Sequence, residues 1–250
     1  MKKVILVPMH PVNLFSSNYL RELISDYRPD IIGVEETQKD IDDALTDSQS
    51  GRFLQTTVDK LNKQSYLANN KTIISLAKSE MEFYSLLRAK KEQYEATDGR
   101  YGARIIGCDN DSFPANDHET AIKEYYSSKK QFFKGLLKLS PDEAKEIITK
   151  SYDTLYNAIV FSSSSEELLH NSFDMSGDSI RSPQMREYYK QRDEDTAARI
   201  RELLNEEITK KDGKILYLFN ITHLDPNYPN LAFLLKDIRP EIMPFYESDN

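Results

Sequence analysis

Four short apolar runs punctuate an otherwise polar chain, and each closes on residues able to do chemistry. Val4-Ile5-Leu6-Val7 leads to His10, and Ile31-Ile32-Gly33-Val34 to Glu35-Glu36. Ile105-Ile106-Gly107-Cys108 leads to Asp109 and Asp111, and Ile215-Leu216-Tyr217-Leu218-Phe219 to His223. Runs this short, β-branched and without alternation, predict strands covered on both faces, as in a largely parallel sheet. In such sheets function gathers just beyond the carboxyl ends of the strands.

The segments between these runs carry helical periodicity. Ser16-Ser17-Asn18 offers N-cap residues for a helix with Leu20, Leu23, Ile24 and Tyr27 on one face, stopped at Arg28-Pro29-Asp30. Residues 3–36 thus form a strand–helix–strand unit, for which parallel strands and a right-handed crossover are the default. Residues 38–98 show apolar spacing through Val58, Ile73, Phe83 and Leu87, which predicts two or three amphipathic helices covering the sheet or inserted beside it. A Gly99–Gly102 turn precedes the third strand, and 117–160 is again helical, with Pro141 in a first turn after Ser140. Residues 162–183, with four consecutive serines, read as a connecting loop or a lid; a helix then runs from Met185 to about Lys211, and an apolar turn spans Leu231–Leu235. The fold class expected is α/β: a single domain over 1–250 with a central mixed, mainly parallel β-sheet covered by many helices. Two similarities recur inside the chain. Residues 31–36 and 105–110 share the form Ile-Ile-Gly-apolar-acid, and Lys3–His10 and Lys214–His223 share a lysine, a strand and a terminal histidine.

Composition narrows the choice. At 250 residues the chain is long enough for a full core. A net charge of -8 argues against general binding to nucleic acid or to an anionic membrane, both of which need a basic face. Cys108 is the one cysteine and lies in an apolar run, so it reads as a core thiol, with no disulfide framework and no Cys-based zinc site. The first apolar run is broken by Pro8, His10 and Pro11, and no run has the length of a membrane span, which points to the cytoplasm.

His10, between Pro8 and Pro11, has a stiff local backbone suited to a side chain aimed at a fixed place. His223 occupies the matching position after its own strand. Glu35 and Glu36 are adjacent, so in an extended chain they point to opposite faces and one of them reaches a given site. Two histidines and a carboxylate suit a divalent metal such as Mn, Co or Zn, and the remaining glutamate suits a general base. Arg192 and Asp193 fall near the inward stripe of their helix, and a buried arginine calls for a carboxylate or phosphate partner, Glu35 or Glu36 among them. His118 and His170 follow no strand and read as surface residues. The chain contains no Gly-rich phosphate loop, no G-x-S-x-G elbow and no H-E-x-x-H helix.

In their order and spacing these segments resemble the TraB/Tiki superfamily, which includes GumN-type proteins and, more distantly, ChaN and the erythromycin esterases. The resemblance is carried by Val7-Pro8-Met9-His10 and Arg28-Pro29-Asp30 through Glu35, against a G-x-x-H motif and an R-P-D-x-x-x-x-E segment. It continues through Ala103 to Asp109, through Arg192-Asp193-Glu194-Asp195-Thr196-Ala197, and through Asn220-Ile221-Thr222-His223 with the Leu-rich segment after it. These motifs cover about a fifth of the chain. Both glycines of the family pattern are replaced, by Val7 and Asn220.

The resemblance implies a metal-dependent hydrolase, peptidase-like, with its site at the strand ends. His10, His223 and Glu35 are then the expected metal ligands, with Asp109 as a further candidate. Glu35, Glu36 and Arg192 are the expected catalytic residues, Arg192 stabilising developing negative charge. Two other readings stand beside it: a non-catalytic protein that binds a peptide or small molecule, and a hydrolase of a nucleotide-like cofactor.

Overall fold

The computed structural model describes residues 3–9, 17–50, 70–109, 134–161, 183–206, 213–224 and 229–243. The strands are β1 (Lys3–Met9), β2 (Ile31–Val34), β3 (Arg104–Gly107), β4 (Lys214–Asn220) and β5 (Glu241–Ile242). They form one sheet in the order β3-β2-β4-β1-β5, and every described pairing is parallel, in keeping with the α/β fold and mainly parallel sheet expected from the sequence. The helices are α1 (Ser17–Tyr27), α2 (Gln38–Ser50), α3 (Lys71–Ala96), α4 (Pro141–Phe161), α5 (Pro183–Asn205) and the short α6 (Leu231–Leu234), with a 3-10 turn at Ile221–Leu224. Among the described residues no helix is long and apolar enough to cross a membrane. The 162–183 segment, apart from its last residue, and the 110–133 part of the second helical region lie outside the described residues.

The unbroken apolar character of the strands follows from covering on both faces. Ile5, Val7 and Met9 of β1, Ile32 and Val34 of β2, and Leu216 and Leu218 of β4 meet α1, α2 and α3 through Leu20, Leu23, Ile41, Phe83 and Leu87. Val4, Leu6, Ile31, Ile106, Ile215, Tyr217 and Phe219 face the other way, against Ala197, Ile200, Leu203 and Leu204 of α5 and against Leu231 and Leu235. Each such aliphatic side chain, fully enclosed, contributes roughly 2 kcal/mol of transfer free energy.

The two internal similarities become neighbours in space. β1 and β4 pair over their whole length, Lys3 beside Lys214 and Met9 beside Asn220. β2 and β3 also pair, but one residue out of step: Gly33 lies opposite Ile106 and Val34 opposite Gly107. Both glycines serve close approach. A Cβ on Gly107 would come within 2.4 Å of the Gln38 backbone nitrogen and 2.5 Å of the Thr37 carbonyl carbon, and one on Gly33 within 2.9 Å of the Tyr217 ring. The missing side chain at Gly107 lets the first turn of α2 sit on the end of β3, where Gln38 Oε1 accepts the Gly107 N–H.

Proline inside a strand usually marks an edge, because it removes a ladder donor. Pro8 is tolerated in β1 because of where its amide faces. Along a parallel strand successive residues turn their amide groups to opposite sides. Lys3 N donates to Gly213 on the β4 side, whereas Leu6 O accepts from Met243 on the β5 side. Pro8 therefore faces the β5 side, beyond the two residues where that strand pairs, and needs no donor. Its carbonyl still needs a partner, which is the hydroxyl of Tyr152 on α4, 2.9 Å away.

Helix starts follow capping rules at α3 and α6, where Asn70 Oδ1 accepts the Thr72 N–H and Asn230 Oδ1 the Phe233 N–H, and at α2 and α4. Thr37 Oγ1 accepts the Asp40 N–H at the head of α2. Ser140 and Glu143 form a reciprocal capping box at the head of α4, with Pro141 as its first residue.

Candidate functional site

The carboxyl ends of β3, β2 and β4 stand side by side, and each delivers a polar residue to one network. Glu35 continues β2, its N–H donating to Leu218 O, and Asp109 follows β3, its N–H donating to Glu36 O. The 3-10 turn after β4 folds His223 back over the strand end. Odd-numbered residues of β2 face α5, so Glu35 inherits that face and Glu36 the opposite one.

Arg192 of α5 joins the first two strand ends. Its Nη2 lies 2.9 Å from Glu35 Oε1 and 2.5 Å from Asp109 Oδ2, and its Nε is 3.3 Å from Asp109 Oδ1. Asp109 is thus gripped at both oxygens, in the fork geometry that only arginine supplies. The guanidinium also lies over the rings of Tyr188 and Tyr189, at 5.5 and 5.9 Å from their centroids. Burial opposes its charge, but Glu35 and Asp109 more than compensate and keep it protonated.

His223 joins the third strand end to the same centre. Its Nε2 is 2.9 Å from Glu35 Oε1, and its Nδ1 makes a very short contact with Asp193 Oδ1. Ionised carboxylates only accept, so beside ionised Glu35 and Asp193 both ring nitrogens donate. Burial alone would push its pKa down, but the charges of Glu35 and Asp193, together with their hydrogen bonds, raise it to about 10. Tyr189 and Phe219 present ring edges to it at 5.0 and 6.3 Å.

Glu35 is the hub. One oxygen takes Arg192 and His223, and the other takes the backbone N–H of Asn220. Burial would raise its pKa, but these cations and donors outweigh burial and hold it at about 2. Glu36 is the reverse case. Burial raises its pKa to about 7 against the opposing hydrogen bond from Tyr84, with Glu80, Asp40 and Glu35 adding repulsion. The Tyr84 hydroxyl of α3 donates to Glu36 Oε1 at 2.5 Å. Oε2 of Glu36 meets no hydrogen-bond partner among the described residues.

Of the residues singled out by sequence, the fold brings Glu35, Asp109, Arg192 and His223 together and sets Glu36 on the other face of the same strand end. His10 and Asp111 lie outside the described residues, as do His118 and His170; β1 ends at Met9, beside Asn220. The fold also brings in Asp193, which shares the inward helical stripe with Arg192. Two participants were not in that set: Tyr84, which nothing in the spacing of its segment singles out, and the Asn220 N–H, a backbone group that leaves no mark in the sequence.

The expected divalent metal is a poor fit for these donors as placed. His223 has no ring nitrogen free to ligate, and both oxygens of Asp109 and both of Glu35 already accept hydrogen bonds. A dication about 4 Å from the guanidinium would meet roughly 8 kcal/mol of repulsion at an effective dielectric constant of about 20. Among the described residues no group of three or more His, Cys, Asp or Glu side chains has the arrangement of a metal site. Searches against protein-family models, curated proteins and solved structures returned no match.

Proposed function

We propose that the protein is a hydrolase acting in the cytoplasm on a peptide or small molecule, with its site at the carboxyl ends of β2, β3 and β4. One observation carries the reading: two consecutive carboxylates at one strand end are held in opposite states, Glu35 ionised near pKa 2 and Glu36 titrating near 7. Pairs of titratable groups pushed apart by their surroundings are how one site obtains a fixed charge and a proton carrier at neutral pH.

In this reading the substrate lies across the crest of the sheet at the end of β2. Ionised Glu36 takes a proton from water through Oε2, and the water oxygen attacks a carbonyl or phosphoryl centre. On the α5 face of the same strand end Arg192, whose Nη1 donates to no acceptor among the described residues, would hold a carbonyl or phosphoryl oxygen of the part of the substrate that reaches over the crest. The same carboxyl then returns its proton to the leaving group, so the net reaction is addition of one water across the cleaved bond. Glu35 exchanges no proton; it holds Arg192 and His223 in place.

The test is hydrolysis of panels of peptides, esters and phosphoesters by the wild-type protein and by Glu36→Gln. Turnover that falls by a factor of 100 or more in the variant, within the usual range for a general base of about 10²–10⁴, supports the reading. Saturable binding without turnover in either protein supports the second reading, a non-catalytic binding protein. That alternative is favoured by the full engagement of Glu35, His223 and Asp109 in internal contacts.

A further inference from the structure

Resting on the hydrolase reading above, we infer that Arg192 and His223 occupy the carboxylate oxygens a dication would need, so that this strand-end site works without a metal. Both side chains converge on a single oxygen, Glu35 Oε1, each at 2.9 Å. The remaining acceptors are also committed: Glu35 Oε2 to the Asn220 N–H, and both oxygens of Asp109 to Arg192.

Neither side chain can step aside cheaply. The His223 ring is pinned at Nδ1 by Asp193 and bounded by Tyr189 and Phe219. Arg192 and Asp193 are consecutive on α5, a helix fixed to the sheet by Ala197, Ile200 and Leu203. Displacing the guanidinium for a metal would strain the same helix turn that carries the carboxylate holding the histidine. A metal ligand must present a free ring nitrogen, and both nitrogens of this ring already meet carboxylates. The positive charge offered to a substrate at this face is therefore the guanidinium, and the group that suits it is a carbonyl or phosphoryl oxygen approaching Nη1.

The test uses the full chain freed of metal with EDTA and titrated with Mn2+, Co2+ and Zn2+. Thermal unfolding is followed for the wild type and for Glu35→Gln, and the zinc titration is repeated by NMR on protein labelled with 15N-histidine. A metal bound to the folded state at a hundredfold excess over its Kd would raise Tm by about 5–10 °C. The expected result is no rise, or an equal rise in both proteins from an ion bound elsewhere, with both ring N–H signals of His223 persisting in zinc. A metal-specific rise in the wild type that Glu35→Gln abolishes overturns the proposal, and so does loss of the Nε2–H signal on adding zinc. Should Glu35→Gln fail to fold, the His223 signals of the wild type decide alone. Metal binding and not turnover is read, so a hydrolase that needs metal and a metal-free protein that hydrolyses nothing are told apart.

Discussion

Asp193 accepts the Nδ1–H of His223 where both side chains are enclosed, with exposures of 0% and 3%. That contact makes the ring's charge a property of the fold. An imidazole with only Glu35 beside it would titrate closer to its ordinary value.

Replacing Asp193 by Asn keeps the shape and removes the charge. Breaking one member of a buried ion pair costs about 3–5 kcal/mol, and that loss is expected in urea unfolding at pH 6. The pH dependence has a definite sign. A pKa raised in the folded state gives stability that is complete below the ordinary value of 6.5 and is lost as pH rises through about 10. The wild type should therefore weaken between pH 6.5 and 10, and Asp193→Asn should be flatter across that window. On the acid side Glu35, held at about 2, contributes stability present above 4.5 and lost as pH falls through 2.

Glu36 acts in the opposite sense to Glu35. Its raised pKa means that its folded environment is fully tolerated below 4.5 and becomes a cost as pH rises through about 7. Glu36→Gln should stabilise the protein by about 3 kcal/mol at pH 8 and by nothing at pH 4, a comparison two denaturation curves make directly. Tyr84→Phe removes the donor that favours the ionised form, so Glu36 should titrate higher still. Under the proposed chemistry the rising limb of the pH–rate profile would move to higher pH in that variant.

Gly107→Ala and Gly33→Ala form a matched pair. At Gly107 the new methyl meets backbone of Thr37 and Gln38, which can yield only if α2 shifts, whereas at Gly33 it meets the side chains of Tyr217 and Cys108. Overpacking typically costs about 1–3 kcal/mol, and Gly107→Ala should fall at the upper end of that range with Gly33→Ala below it. Chemical denaturation of the two variants side by side checks the order.

Tyr152→Phe tests how β1 accommodates its proline. Without the hydroxyl the Pro8 carbonyl loses its partner, and an unsatisfied buried acceptor costs about 1–3 kcal/mol. A variant as stable as the wild type would show that the carbonyl finds another donor.

The parts of the fold written in residue patterns were the parts legible in advance. Four of the five strands announce themselves as β-branched runs, and α1, α3 and α5 as apolar spacing, because covering on both faces of a sheet and one face of a helix leaves different periods. β5 left no such trace: Glu241-Ile242 is two residues within a Pro-punctuated stretch, and its pairing depends on the partner β1 and not on its own composition. The order of the strands was equally hidden. Residues 3–36 read as a unit, yet β4 lies between β1 and β2, a choice made by packing across nearly two hundred residues. In the site, strand-end carboxylates and His223 were visible because polar groups at the end of buried runs need partners. Which partner each one takes was not, since Arg192 suits either glutamate until β2 fixes which face each occupies.

The placement of β4 also bears on how the molecule assembles. Both described hydrogen-bonded neighbours of β1, β4 and β5, come from residues 214–242, so β1 is synthesised well before either strand that pairs with it. Until then its apolar residues have helices to collapse onto but no strand beside them, and β2 and β3 can pair only with each other. Contacts closed over such separations slow folding, because the loop entropy is lost before the pairing is gained. A nascent chain therefore holds β1 unpaired until residues 214–242 follow, and the strand ends that carry Glu35, Asp109 and His223 come together in the same event that completes the sheet.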